Sequence, residues 1–200
     1  MNKQISFILG ILFAISAYFQ ASPTITNPTA LVESNSKEFV IVPTTIPTAI
    51  PIAYSNGTMF GGPSLYASDI DNILLKRGSP AYGNGQNFFD LGVAYGIDPA
   101  YLLAFFAKES SMGADPNWTN TKNIGNIICT SNWQGKCHGR FRIYDSWYAA
   151  ANDWYKLMST KYYGMDIYSI MEMYAPSSDG NKPKAYADTV LQLVAQWRTR

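Results

Sequence analysis

The sequence contains a single histidine, His138, and only two cysteines, Cys129 and Cys137. A zinc site needs about three or four ligands, most of them His or Cys. Thiol proteases place their catalytic Cys and His far apart in the sequence, whereas Cys137 and His138 are adjacent. These shortages argue against zinc hydrolases and thiol proteases, and we expect no metal ion and no other cofactor.

Charged residues are also few, at 14% of the 200 residues, and the formal net charge is +1. A protein that neutralises many phosphates normally carries a basic excess or a long basic stripe, so nucleic acid is not an expected partner. Hydrophobic residues make up 47% of the chain, which is enough apolar material for one packed domain of ordinary size.

The N-terminus lacks an apolar run long enough to span a bilayer comfortably. Lys3 precedes about fifteen mostly apolar residues and then small residues, an order typical of a secretory signal, whereas a membrane-spanning helix needs about twenty apolar residues. We assign residues 1–21 to a signal peptide, or to an N-terminal anchor if the segment is not cleaved. The protein is expected to be secreted, and to meet the membrane only through an uncleaved N-terminal segment.

Residues 22–60 are rich in Pro, Thr and Ser, with too many prolines for a helix or a central strand. This composition predicts an extended tether. Residues 61–200 then form the folded domain. In an exported protein, the close pair Cys129 and Cys137 predicts a small-loop disulfide.

Apolar spacing and end signals predict helices through most of the folded domain. Ser68 and Asp71 resemble a capping box. Asp98 is a natural N-cap followed by a proline, and Gly113 suits a left-handed position after the helix end. The predicted helices lie at 68–78, 87–96, 98–113, 145–158 and 167–174, and from 183 onward.

Two short segments rich in β-forming residues interrupt the helices, at 123–128 and 139–144. In the second, Phe141 and Ile143 alternate with polar neighbours, as in a half-buried strand. The predicted fold class is therefore mainly α with a small β-hairpin lobe, an α+β arrangement in which the two cysteines close the turn of the lobe.

Glu109 is one of only four glutamates, and it lies where the buried side of a helix would continue. The apolar stripe of the helix at 98–113 runs through Leu102, Phe105 and Phe106, and helical spacing carries it onto Glu109. Partial desolvation and the negative end of the helix dipole both favour the protonated form, so we expect a raised pKa. Glu109 is thus a candidate proton donor. The alternatives are a solvated helix end or an ion pair with an arginine of the β-lobe.

Short pieces of sequence carry a family resemblance through their order and spacing. They are AKES at 107–110, TKNIGNI at 121–127, NWQG at 132–135, FRIYDSW at 141–147, and YAPSSDGN with AYADTV between 174 and 190. On these pieces the chain, from about residue 79 to residue 197, resembles the bacterial endo-β-N-acetylglucosaminidase domain of autolysins and flagellar peptidoglycan hydrolases. The resemblance implies a lysozyme-like fold. It also implies cleavage of β-1,4 bonds in peptidoglycan or a related GlcNAc-containing glycan, at the extracellular cell wall.

The resemblance further implies that Glu109 is the general acid and that Tyr174 and Tyr186 assist it. Amide groups hydrogen-bond sugar hydroxyl and N-acetyl groups, and aromatic rings stack on sugar faces. Each such residue also has a structural interpretation, in a turn or in a half-buried core. The expected substrate-binding residues are Asn123, Asn126, Trp133 and Tyr144, with Trp118 as a further aromatic platform.

Enzymes of this type often carry a second glutamate in the β-lobe, and this sequence has none there. Between Glu109 and Tyr144 the only acidic residue is Asp115, the candidate second carboxylate. Two carboxyl groups about 5–5.5 Å apart would indicate retention, and about 6.5–9.5 Å inversion. Otherwise a single acid acts while the acetamido group or 6-hydroxyl of the substrate attacks, and Asp145 and Asp179 fit cap and turn positions.

The leading hypothesis is a secreted peptidoglycan hydrolase with Glu109 as its acid. One alternative is a lytic transglycosylase, which needs a single acid/base group and leaves an anhydro-sugar end. Another is a non-catalytic wall-binding module that has lost the second carboxylate. A wall amidase or peptidase is disfavoured because zinc enzymes of that kind need several histidines.

Overall fold

The computed structural model describes residues 57–116 and 118–199, which form six α-helices and one two-stranded antiparallel sheet. This confirms a mainly helical fold with a small β-hairpin. The predicted signal peptide and residues 22–56 of the predicted tether lie outside the described residues. The elements are α1 (Ala67–Lys76), α2 (Gly85–Tyr95), α3 (Pro99–Ser110), β1 (Cys137–His138), β2 (Phe141–Arg142), α4 (Trp147–Lys161), α5 (Ile167–Tyr174), a 3-10 helix (Ser177–Asp179) and α6 (Pro183–Arg198).

Helix α3 forms the centre of the domain. Every residue from Tyr101 to Phe106 is completely buried, because α3 packs against α6 on one side and against α1, α2 and α4 on others. A helix that is apolar all round is stable only in such surroundings. Its last turn therefore carries Glu109 out of the core at a fixed position.

Asp98 caps the start of α3, as predicted, and also joins distant parts of the chain. Its Oδ1 accepts hydrogen bonds from the backbone N–H of Ala100 at 3.0 Å and of Ser64 at 3.1 Å. Its Oδ2 accepts one from Nη2 of Arg198 at 2.6 Å, in an ion pair whose carboxylate is almost fully buried. The first turn of the acid-bearing helix is thus fastened to the last turn of α6.

Two predicted helix ends are wrong in detail. Tyr66 precedes α1, and its N–H is bound by Asp69 instead of the predicted Ser68 and Asp71 pair. The carboxylate of Asp71 instead accepts N–H bonds at the start of α2. Helix α3 ends earlier than predicted, on left-handed Ser111 with φ 52°, whereas Gly113 is left-handed as predicted, with φ 77°.

The predicted strand at 123–128 is also wrong, apart from an isolated bridge between Ile128 and Phe141. The side chain of Asn123 bonds the carbonyl oxygens of Ile127 and Arg142, both at 3.0 Å, and the N–H of Ile127 at 2.8 Å. These bonds wind the segment into turns because an amide side chain competes with a strand ladder for the backbone groups. The β-lobe is consequently smaller than predicted.

The predicted disulfide is confirmed between Cys129 and Cys137, and it closes the loop that leads into β1. The packed structure begins earlier than the predicted domain boundary at residue 61. Met59 is buried in the core, and Phe60 forms a bridge with Ile97. Within residues 57–116 and 118–199, no helix has the length and apolar character needed to cross a bilayer.

Candidate active site

A cleft of about 700 Å³ lies beside the C-terminal end of α3. Its other walls come from the turn at 125–128, strand β2, the ends of α4 and α5, and the 3-10 helix. The structure brings four of the predicted site residues together here, namely Glu109, Asn126, Tyr174 and Tyr186. They are separated by up to 77 residues in the sequence.

Two donors hold the carboxyl group of Glu109 in place. The hydroxyl of Tyr186 donates to Oε1, and Nδ2 of Asn126 donates to Oε2 at 2.8 Å. The same Nδ2 lies 3.0 Å from the backbone carbonyl oxygen of Glu109. Asn126 adopts φ 46°, a left-handed conformation that asparagine tolerates better than most residues. The amide group of Asn126 therefore contacts both the side chain of Glu109 and the backbone at the end of α3.

Burial raises the pKa of Glu109, which confirms the predicted direction. The hydrogen bonds from Tyr186 and Asn126 and the positive charge of Lys108 lower the pKa, but burial has the larger effect. Lys108 directly precedes Glu109, and its Nζ lies 5.5 Å from the ring centre of Tyr186. The result is a carboxyl group that holds its proton above the ordinary pH range of glutamate and still faces an open cleft.

Tyr174 and Tyr186 form an aromatic layer beneath the acid. Both rings pack against Phe105, at 5.2 and 5.8 Å between centres. Burial raises the pKa of both hydroxyls well above the ordinary value, so both remain hydrogen-bond donors at neutral pH. Tyr174 donates to the carbonyl of Gly125, while Tyr186 donates to the acid.

Gly125 permits the close approach of the turn to this layer. A Cβ atom at this position would lie 2.6 Å from Cδ1 of Trp154 and 2.8 Å from the hydroxyl of Tyr174. Because real Cβ atoms do not approach so closely, a larger residue would displace the turn that carries Asn126. The glycine thus determines where the partner of Glu109 sits.

Three of the predicted substrate-binding residues lie away from the cleft and stabilise the β-lobe. Asn123 is 1% exposed, and the backbone groups of the turn occupy its amide. Tyr144 is buried and donates to Oδ2 of Asp153 at 2.5 Å, and burial raises its pKa. Trp133 packs 5.5 Å from Tyr144 and donates its N–H to the carbonyl of Lys136.

The predicted platform Trp118 is half-buried, with its ring centre 4.9 Å from that of Phe141 and the two ring planes at 90°. These residues were predicted to contact substrate because their types suit sugars. The fold uses them to hold the lobe together, since the two-residue strands provide little backbone pairing.

The predicted second carboxylate, Asp115, does not line the cleft. It lies in the turn after α3, where its carbonyl accepts bonds from Trp118 and Thr119. The cleft instead includes Asp179, the last residue of the 3-10 helix. Sequence reasoning placed Asp179 in a turn, and only its position five residues after Tyr174 could have indicated a role in the site.

Within the described part of the chain, no three His, Cys, Asp or Glu side chains come together as a metal site requires. No protein-family model matches the chain, and no curated protein matches it significantly. The site must therefore be interpreted from its own chemistry. That chemistry is a single half-buried acid, two neutral donors to it and an open cleft.

Proposed function

We propose that the protein is a glycoside hydrolase that cleaves β-1,4 bonds next to N-acetylglucosamine in peptidoglycan, with Glu109 as the general acid. The observation that carries this proposal is the environment of the Glu109 carboxyl group. Burial raises its pKa, and two side chains hold it at a cleft of about 700 Å³. A glycosidase needs a carboxyl group with a raised pKa, because its proton must be available to the leaving oxygen.

The arrangement also suits the acid after it has given up its proton. Tyr186 and Asn126 both donate to the two carboxylate oxygens, so the ionised form remains solvated by the protein. The lysozyme-like fold implied by the sequence resemblance is part of this proposal. A helical domain with a small β-lobe and an acid at the end of its central helix is compatible with that fold.

We place the protein outside the cell at the wall, or on the membrane surface if the N-terminal segment is not cleaved. The disulfide between Cys129 and Cys137 supports this location because such bonds persist in oxidising compartments.

A lytic transglycosylase is the second candidate. It is favoured by the neighbours of Glu109, since in the described part of the chain the hydrogen bonds to its carboxyl come from a tyrosine and an asparagine, not from a second carboxyl group. Such an enzyme needs a single acid/base group, and the 6-hydroxyl of the substrate then attacks the anomeric carbon.

Mass spectrometry of digested peptidoglycan tests the proposal and separates it from the alternatives. New reducing N-acetylglucosamine ends support the hydrolase. Anhydromuramic ends support the transglycosylase. Absence of any new ends, with the protein still bound to the wall, would contradict both and identify a binding module.

Asp179→Asn tests whether a second carboxyl acts on water. We expect kcat to fall by less than about tenfold, because the acetamido group of the substrate can attack in place of an activated water. Asp145→Asn, an exposed residue that does not line the cleft, is the matched control. A loss of about 100-fold or more in Asp179→Asn alone would assign water activation to Asp179.

Tyr186→Phe should change the pH profile as well as the rate. The hydroxyl of Tyr186 lowers the pKa of Glu109, so its loss should move the alkaline limb of the kcat/KM profile to higher pH. We expect kcat/KM at the optimum to fall about tenfold, as for one lost hydrogen bond to a charged group. Tyr168→Phe removes a similar bond to Asp188 outside the cleft and should leave the profile unchanged. A profile that moves to lower pH in Tyr186→Phe would contradict the assigned direction.

A further inference from the structure

The cleft that contains Glu109 carries more positive charge than the chain as a whole. Its lining includes Lys108, Arg140, Arg142 and Lys161, against the carboxyl groups of Glu109 and Asp179. The whole chain has a formal net charge of only +1. The basic character is therefore a local property of this cleft.

One of these four cations is already neutralised within the fold. Nη1 of Arg142 lies 2.7 Å from Oδ2 of Asp153, and its guanidinium stacks 4.6 Å from the ring centre of Trp133. The remaining three, Lys108, Arg140 and Lys161, are exposed. Among the residues that the structure describes, the salt bridges involve other side chains.

Each of the three cations lies over an aromatic ring that also lines the cleft. Lys108 lies 5.5 Å from the ring centre of Tyr186, Arg140 lies 5.3 Å from that of Phe141, and Lys161 lies 5.1 Å from that of Tyr162. Cation–π contact restricts a long side chain without neutralising it. The three charges are thus held at the cleft and remain available to a ligand.

The three charges also come from separate parts of the fold. Lys108 lies in the last turn of α3, Arg140 in the turn between β1 and β2, and Lys161 at the end of α4. They therefore belong to different walls of the cleft that contains the acid. A linear polymer lying in this cleft would meet positive charge from more than one wall.

We propose that Lys108, Arg140 and Lys161 bind anionic substituents, carboxylates or phosphates, carried by the glycan whose bond is presented to Glu109. The identity of the glycan rests on the proposed function, whereas the preference for anionic over neutral chains rests on the charges alone. Neutral N-acetylglucosamine oligomers bind more weakly, because an anionic substituent is attracted by a cleft whose walls carry positive charge.

Binding to the inactive Glu109→Gln variant tests the inference without requiring catalysis. The probes are neutral N-acetylglucosamine oligomers, peptide-free peptidoglycan strands bearing lactyl carboxylates, peptide-bearing strands, and walls with or without their phosphodiester polymers. We expect Kd to be at least about tenfold lower for an anionic probe than for the neutral oligomer of equal length, and the difference to disappear at high salt. The probe that binds more tightly shows whether a carboxylate or a phosphate is the anionic group that the cleft binds.

Charge-removing variants identify the residues responsible. In the Glu109→Gln background, the triple variant Lys108→Gln, Arg140→Gln and Lys161→Gln should lose the preference for anionic probes. The matched control removes the same charge from exposed residues that do not line the cleft, by Lys76→Gln, Arg77→Gln and Lys156→Gln, and should keep the preference. Arg140 lies on an exposed turn, so the single variant Arg140→Gln should fold. It should lose part of the preference for anionic probes, which keeps the test valid if the triple variant misfolds.

The outcomes separate this inference from the proposed function. Equal affinity for neutral and anionic probes, or an equal loss in both triple variants, would overturn the inference even if the parent protein cuts peptidoglycan. A parent that cuts no glycan but whose cleft variants lose anionic binding would overturn only the proposed function.

Discussion

Glu109→Gln is expected to lower kcat on peptidoglycan by about 10²–10⁴-fold, the contribution that a positioned general acid makes. Glutamine has nearly the same shape and keeps one oxygen for Tyr186 or Asn126, but it cannot donate a proton to the leaving oxygen. KM should change little because the walls of the cleft are retained. The measurement is the initial rate of release of new sugar ends by the parent and the variant at equal folded concentration.

Glu172→Gln is the control for this experiment, since Glu172 is exposed on α5 and does not line the cleft. Its rate should remain within about twofold of the parent rate, as for a surface substitution with no role in the reaction. Full lytic activity in Glu109→Gln would show that the acid assignment is wrong. Equal loss in both variants would indicate that the measurement reports folding and not proton transfer.

Asp98→Ala should lower the free energy of unfolding by about 3–5 kcal/mol, as when one partner of a buried ion pair is removed. The substitution removes the N-cap of α3 and breaks the ion pair with the guanidinium of Arg198, which is only 19% exposed. It also removes the bonds from Ser64. Urea denaturation followed by tryptophan fluorescence measures the effect.

Asp166→Ala is the matched control, because Asp166 is also an N-cap but lies exposed at the start of α5. The loss of an exposed cap costs about 1 kcal/mol. A similar cost for Asp98→Ala would show that the capping bond alone matters and that the ion pair with Arg198 adds nothing to stability.

Features that depend on neighbouring residues were predictable from the sequence. Asp98 followed by Pro99 sets the start of α3, and the stripe through Phe105 and Phe106 places Glu109 at the edge of the core. Both depend on helix geometry over a few turns, which the sequence order determines directly. The raised pKa of Glu109 follows from the same local arrangement.

Features that depend on which distant segments meet were not predictable. Asn123 and Asn126 lie three residues apart in one turn, yet one bonds backbone groups and the other bonds Glu109. An amide suits either task, so only the fold decides between them. The positions of Asp115 and Asp179 were not predictable for the same reason, since the path of the chain after α5 brings Asp179, and not Asp115, to the cleft.

The meeting of Ser64, Asp98 and Arg198 has a consequence for the order of folding. Arg198 lies 134 residues after Ser64 and 100 residues after Asp98 along the chain. Contacts of such long sequence separation close late, because the loop entropy must be overcome first. During synthesis the helix that bears the acid cannot be locked at its first turn until Arg198 has left the ribosome, so this part of the fold closes only after α6 has been made.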